Sequence, residues 1–176
     1  NVAGRWQYIQ EQVAEACKRS GRKSQDVTIL AVTKQASDEQ VEAALELGIS
    51  VMGENRIQDA RRRLQCFPGV QWHFIGRLQT NKVKYCQDFA LIHSLDRMRL
   101  ARALQAQGEA WQQKIPVLVQ VNPALEQQKA GLAVEDAELF LKELAHTCKN
   151  LSVQGLMTMA PLAQDPNDIR WVFRAV

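Results

Sequence analysis

Six short runs of β-branched and apolar residues recur along this chain, each followed by a segment with helical character. That alternation limits the fold more than any other feature. The runs begin near residues 27, 49, 71, 91, 115 and 151, at intervals of 20 to 36. Strands joined through intervening helices imply right-handed crossovers and a parallel sheet, so the fold class is α/β. A doubly wound sheet and a (β/α) barrel both satisfy the pattern. A doubly wound nucleotide-binding sheet usually carries a glycine-rich loop after its first strand. None of the nine glycines stands in G-x-G-x-x-G or Walker spacing, which favours a (β/α)8 TIM-type barrel. A closed barrel needs eight units and usually about 200 residues or more. The 176 residues supply about six βα units. The expectation is one domain, residues 1–176, ending roughly two units short, with the remainder beyond Val176 or not visible.

The bulk properties exclude several classes. A net charge of +3 makes neither nucleic acid nor an anionic membrane a required partner. No run is long and apolar enough to span a bilayer. The first twenty residues carry charges throughout, unlike a signal peptide. Cys17, Cys66, Cys86 and Cys148 form no C-x-x-C and have no histidine at zinc spacing. They read as reduced thiols of a cytosolic protein, with no metal site. The run Arg61-Arg62-Arg63 lies in a helical stretch and reads as a solvated face.

Chemistry in a (β/α) barrel gathers at the carboxyl ends of the strands, and those ends are polar here. The first run, Val27 to Thr33, is free of charge until Lys34 follows it. Alternation puts Thr28, Leu30, Val32 and Lys34 on one face. A strand-end lysine ordinarily just reaches water, since lysine is rarely buried. The later ends give Gly53-Glu54-Asn55-Arg56, Trp72-His73-Phe74-Ile75-Gly76, His93-Ser94-Leu95-Asp96, Gln120-Val121-Asn122 and Gly155-Leu156-Met157. In the third strand Trp72 and Phe74 are predicted to face the helices, with His73 and Ile75 facing the barrel interior. Asn55 suits a helix cap as well as a ligand contact. Arg56 suits a phosphate contact or a solvated helix start. His73, Ser94 and Met157 suit packing as well as ligand contact. Convergence of these groups on one mouth makes a pocket. A lysine there is the natural Schiff-base former, because desolvation frees its amine for attack on a carbonyl.

The ordered blocks Ala31-Val32-Thr33-Lys34, Gly53-Glu54-Asn55-Arg56, Trp72 to Gly76 with Leu78-Gln79-Thr80-Asn81-Lys82, His93 to Arg97, Val119 to Asn122, Lys129-Ala130-Gly131-Leu132 and Gly155-Leu156-Met157 span nearly the whole chain. Together they resemble the pyridoxal phosphate homeostasis protein family of the YggS/PROSC type. The resemblance implies a fold-type III barrel like the amino-terminal domain of alanine racemase, with pyridoxal 5'-phosphate (PLP) as cofactor, held by Lys34 as an internal aldimine. It implies a cytoplasmic protein, a monomer or weak dimer, that holds, buffers or hands over PLP. The exchange partners would be apo PLP-enzymes and amino acids. Strand position nominates His73 and Ile75 beside the ring and Asn55 at the phenolic oxygen, with Ser94 and Met157 as further cofactor-binding candidates. A PLP-dependent racemase or lyase on the same barrel is the alternative; its second acid–base group would have to be Tyr8 or Tyr85. After Lys34 the chain reads Gln35-Ala36-Ser37, where many relatives carry Thr-x-Pro. The family's last two strands, which supply most phosphate contacts, have no counterpart in this sequence. The phosphate-binding residues are therefore expected outside it.

Overall fold

A computed structural model describes residues 2–124 and 130–176. The Lys129 of the quoted Lys-Ala-Gly-Leu block lies outside the described residues. The chain begins with α1 (Val2–Ser20), which Gly21 ends in the left-handed region at φ 68°. Then β1 (Ala31–Val32), α2 (Asp38–Glu46), β2 (Val51–Glu54), α3 (Ile57–Cys66) and β3 (Gln71–Phe74) follow in strict alternation. A 3-10 helix (Thr80–Tyr85) leads to β4 (Leu91–Leu95), and α4 (Met98–Trp111) to β5 (Ile115–Gln120). The last elements are α5 (Val134–Thr147), β6 (Leu151–Met157), a 3-10 turn (Pro166–Ile169) and the short α6 (Arg170–Arg174).

The six strands form one parallel sheet in the order β1-β2-β3-β4-β5-β6. Sequential order without reversal is the order of a barrel and not of a doubly wound sheet. The register puts Met52 opposite Trp72 and Phe74 opposite Ile92. With Val117 and Val119 these residues are nearly or wholly buried against Leu100, Leu104 and Leu144 of the helices. The main core therefore lies between sheet and helices, and Trp72 and Phe74 face it as predicted. The indole of Trp72 satisfies its one polar group by donating to Phe67 O at 3.1 Å. No described helix is long and apolar enough to cross a membrane.

The boundaries depart from the sequence reading at three places. The first strand is two residues long rather than seven. Ala31 stands opposite Met52, so Leu30 would face Val51, where β2 starts. Val27–Ile29 thus lie beyond the start of β2 and have no ladder partner on that side. The helix expected after the third strand is a single 3-10 stretch. The stretch after Pro166, which reads as a final helix near Asn167 to Val176, is a 3-10 turn (Pro166–Ile169) followed by the five-residue α6 (Arg170–Arg174).

Candidate functional site

Lys34 follows β1 immediately. The Thr33 N–H continues the ladder to Gly53 O at 3.0 Å, and the Ala36 N–H closes a turn on Thr33 O at 2.9 Å. Gln35, at the third position of that turn, has φ 67°, the positive value that a type II turn demands there. Lys34 is thus the second residue of a tight turn and is exposed. It lines neither of the two cavities described below.

Beneath this turn lies a buried polar bracket. The Thr33 hydroxyl donates to Glu54 Oε1 at 2.5 Å, and Glu54 is 1% exposed. Arg63 of α3, 4% exposed, donates from Nη1 to Asp38 Oδ1 and from Nη2 to the carbonyl of Ala36. Its Nε lies 3.8 Å from Glu54 Oε1. Arg63 therefore fastens the residues after Lys34, and Glu54 at the end of β2 fastens Thr33 before it. Ser37 caps α2, accepting from Gln40 N–H while Gln40 reaches back to Ser37 N–H. Asp38 is further held by Arg62, whose hydrogen bonds keep its carboxyl below the ordinary carboxylate value. The basic run is therefore not uniformly a solvated face. Arg61 and Arg62 are exposed, but Arg63 falls in line with Ile57 and Ala60 on the buried side of α3.

The concave face of the sheet carries the imidazoles. Val32, Gly53 and His73 are successive partners across β1, β2 and β3. A Cβ on Gly53 would come within 2.7 Å of Leu30 Cδ2 and 3.3 Å of Ile75, so Leu30, Gly53 and Ile75 crowd one patch of that face. His73 Nδ1 lies 2.9 Å from His93 Nε2. One ring donates and the other accepts. Partial burial lowers the pKa of His73. His93 is pushed down to about 4, by burial first and by His73 second. Both rings are neutral near pH 7. His93 was not singled out from the sequence, although its place one strand from His73 on the same face could have been.

At the carboxyl ends of β3, β5 and β6, Ile75 and Met157 line one cavity of about 270 Å³ with Arg77, Gln120, Asn122 and Met159. Met157 is the register partner of Gln120, and the Gln120 amide donates to Ala130 O at 3.0 Å. Two of the predicted residues thus share a cavity. Asn55 does not line it; it lines a second, larger cleft with Arg56 and Arg77. Its carbonyl sits against Gly76, where any Cβ would stand 2.1 Å from Asn55 O. Ser94 lies in an irregularity of β4 between Ile92 and Leu95. Its hydroxyl is buried with no hydrogen-bond partner among the described residues. Tyr85 sits under the cations of Arg61, Lys82 and Lys84, and Tyr8 is exposed on α1. Among the described residues no group of histidine, cysteine or acid side chains has metal-site geometry, and the four cysteines are unpaired.

Comparison with known proteins places this geometry. The family described as "Alanine racemase, N-terminal domain" matches residues 7–174. The pyridoxal phosphate homeostasis protein of Aquifex aeolicus is 38% identical over 178 residues, covering 99% of this chain and 77% of the relative. The chain belongs to the pyridoxal phosphate homeostasis protein family. Two solved structures of similar fold agree with that membership. A Bifidobacterium adolescentis protein described as unknown superposes with a TM-score of 0.84 at 27% identity, over 96% of this chain and 73% of its own. PipY of Synechococcus elongatus PCC7942 with PLP bound superposes with a TM-score of 0.75 at 29% identity, over 92% of this chain and 76% of its own. The architecture is accordingly that of the family's TIM-type barrel, represented here by six βα units.

Proposed function

We propose that this chain binds PLP, as its family membership implies, and serves to hold and release the cofactor, with Lys34 as the point of covalent attachment. The observation that carries the assignment is the bracket beneath the turn. A surface lysine needs no support, yet the Thr33 hydroxyl before Lys34 and the Ala36 carbonyl after it are fastened to two buried charged residues, Glu54 and Arg63. Burying charge is costly unless it is paired, so the bracket marks a turn whose position matters.

The residues present fit the group. PLP supplies an aldehyde that condenses with a primary amine, and Lys34 offers that amine in the turn just past the carboxyl end of β1. The cavity of about 270 Å³ falls just below the range for small-molecule pockets, roughly 300–1,000 Å³. Ile75 and Met157 give it apolar walls. Gln120, Asn122 and Arg77 give it polar ones. His73 and His93 present neutral rings on the same face, able to donate or accept without adding charge. The buried Ser94 hydroxyl has an unused donor. Asn55 would act from the neighbouring loop. Exposure of Lys34 leaves the attached group open to attack by other amines, which is how a carrier gives up its cargo to an amino acid or an apo enzyme.

The test is direct. The protein is loaded with PLP, reduced with borohydride and digested, and the modified peptide is identified by mass spectrometry. Modification at Lys34, with loss of visible absorbance in Lys34→Ala, is expected. A label on another lysine, in the wild type at one equivalent, would overturn the assignment.

A further inference from the structure

A second concavity is larger than the one that Ile75 and Met157 share. It is a cleft of about 670 Å³ above the ends of β2, β3 and β4, mid-range for a small-molecule site. Its walls carry Arg56, Arg77, Lys82, Arg97 and Arg99, and no acidic side chain among the described residues lines it. Arg97 is neutralised by Asp96 at 2.6 Å and also donates to Leu78 O at 2.7 Å. Arg56, Arg77 and Arg99 have no acidic partner among the described residues. Arg56, Arg77 and Arg99 therefore share one cleft without a counter-charge among the described residues, an arrangement that repels itself unless an anion enters.

The helices reinforce the sign. The residues preceding α3 and α4, Arg56 and Arg97, both line the cleft, and neither side chain caps its helix. Arginine at these positions opposes the helix dipole and leaves backbone N–H groups unmet. The side chains of Gln79, Thr80 and Asn81 add neutral hydrogen-bonding groups, and the floor is the buried apolar surface of Ile57, Phe74 and Leu78.

We infer that this cleft is a binding site for a small phosphorylated compound carrying two or more negative charges. Its concave shape and apolar floor favour a compact ligand over an extended polynucleotide, which would need a basic stripe. Lys34 is not among its lining residues, so the site does not rest on the proposed attachment chemistry.

Inorganic pyrophosphate is the probe, titrated calorimetrically into the whole protein at constant ionic strength. Saturable binding is expected at one site. Arg99→Gln and Lys82→Gln should each weaken it by about tenfold, the loss of one charge-assisted contact. Lys84→Gln, a cation beside Tyr85 that does not line the cleft, should leave it unchanged, and so should Lys34→Ala. Circular dichroism checks that each variant is folded, and Arg99, exposed in the first turn of α4, is the variant least able to disturb the core. The inference is overturned if wild type shows no saturable heat, or if Lys84→Gln weakens binding as much as Arg99→Gln. It is equally overturned if a short oligonucleotide binds saturably, weakened by Arg99→Gln, while pyrophosphate gives no saturable heat. Loss of pyrophosphate binding in Lys34→Ala would instead place the anion in the cofactor site and refute a separate cleft.

Discussion

Arg62 and Arg63 are neighbours on one helix, of one residue type, and both contact Asp38. They differ in burial: the Arg62 side chain is 53% exposed and that of Arg63 is 5%. Replacing Arg63 by methionine keeps much of the volume and removes the charge. Glu54, its side chain 2% exposed, is then left in the interior with only the Thr33 hydroxyl, because its second oxygen already lacks a partner. Breaking a buried pair from one side costs about 3–5 kcal/mol, mostly because the remaining charge is uncompensated. For a chain of this size each kcal/mol moves the midpoint by about 2–4 °C, so Tm should fall by on the order of 10 °C. Arg62→Met, by contrast, removes a solvent-screened pair and should move Tm by no more than about 2 °C. Adding Glu54→Gln to Arg63→Met removes the orphaned charge and should recover part of the loss, whereas Glu54→Gln in the wild type should not stabilise. The assay is thermal unfolding by circular dichroism, paired with the extent of PLP attachment at Lys34 well below Tm. Attachment should be impaired in Arg63→Met at temperatures where it is folded, because Ala36 O has lost its donor. If Arg63→Met and Arg62→Met lower Tm equally, the bracket is not what holds the turn and the reasoning fails.

Acidification acts through the imidazole pair. The folded pKa of His93, about 4, lies below its unfolded value of about 6.5. Between those values the unfolded chain binds the extra proton, so the full contribution is present above pH 6.5 and is lost as pH falls through the window. Discounted for the solvent that reaches the ring, the loss from pH 6.5 to 5 should be on the order of 1 kcal/mol; urea midpoints of wild type and His93→Gln should converge as pH drops. Gly76→Ala should destabilise by at least about 2 kcal/mol, since the added carbon meets the Asn55 backbone at 2.1 Å rather than a side chain that can swing away. Its denaturation midpoint checks this. A thiol reagent should modify Cys66 rapidly in the native protein and the other three only on unfolding. Cys66 is exposed, whereas Cys17, Cys86 and Cys148 are buried, and burial pushes the Cys86 thiol up to about 12.

What could be read from the residues was what period and order encode. The six strands, their parallel sequence and the outward aim of Trp72 and Phe74 follow from alternation, because both sides of those strands have neighbours that enforce it. The span of β1 could not be read, because an edge strand is only as long as its one partner allows, and that partner starts at Val51. Arg63 was misjudged because its charge outweighed its position. Ile57, Ala60 and Arg63 stand three apart on α3, and that spacing already marked the third as facing inward. Arg77 lies in a loop without periodicity, so nothing local announced that it borders both concavities. The separation of Asn55 from Ile75 and Met157 is likewise a matter of loop path, set where Gly76 lets the β2 and β3 ends approach.

The turn after β1 joins two properties that usually exclude each other. Its backbone is held from inside by Glu54, Thr33 and Arg63, yet the lysine it presents is exposed. In an enzyme that must keep its cofactor, the amine would be enclosed, so that water and stray amines could not displace it. A holder that must also release needs the reverse: a fixed address for the attachment point and an open approach for the next amine. Fixing the backbone lowers the ordering cost of attachment, while exposure leaves the route of departure unobstructed. With attachment at Lys34 as proposed, the two demands fall on different atoms, main chain and Nζ, each served by its own set of residues.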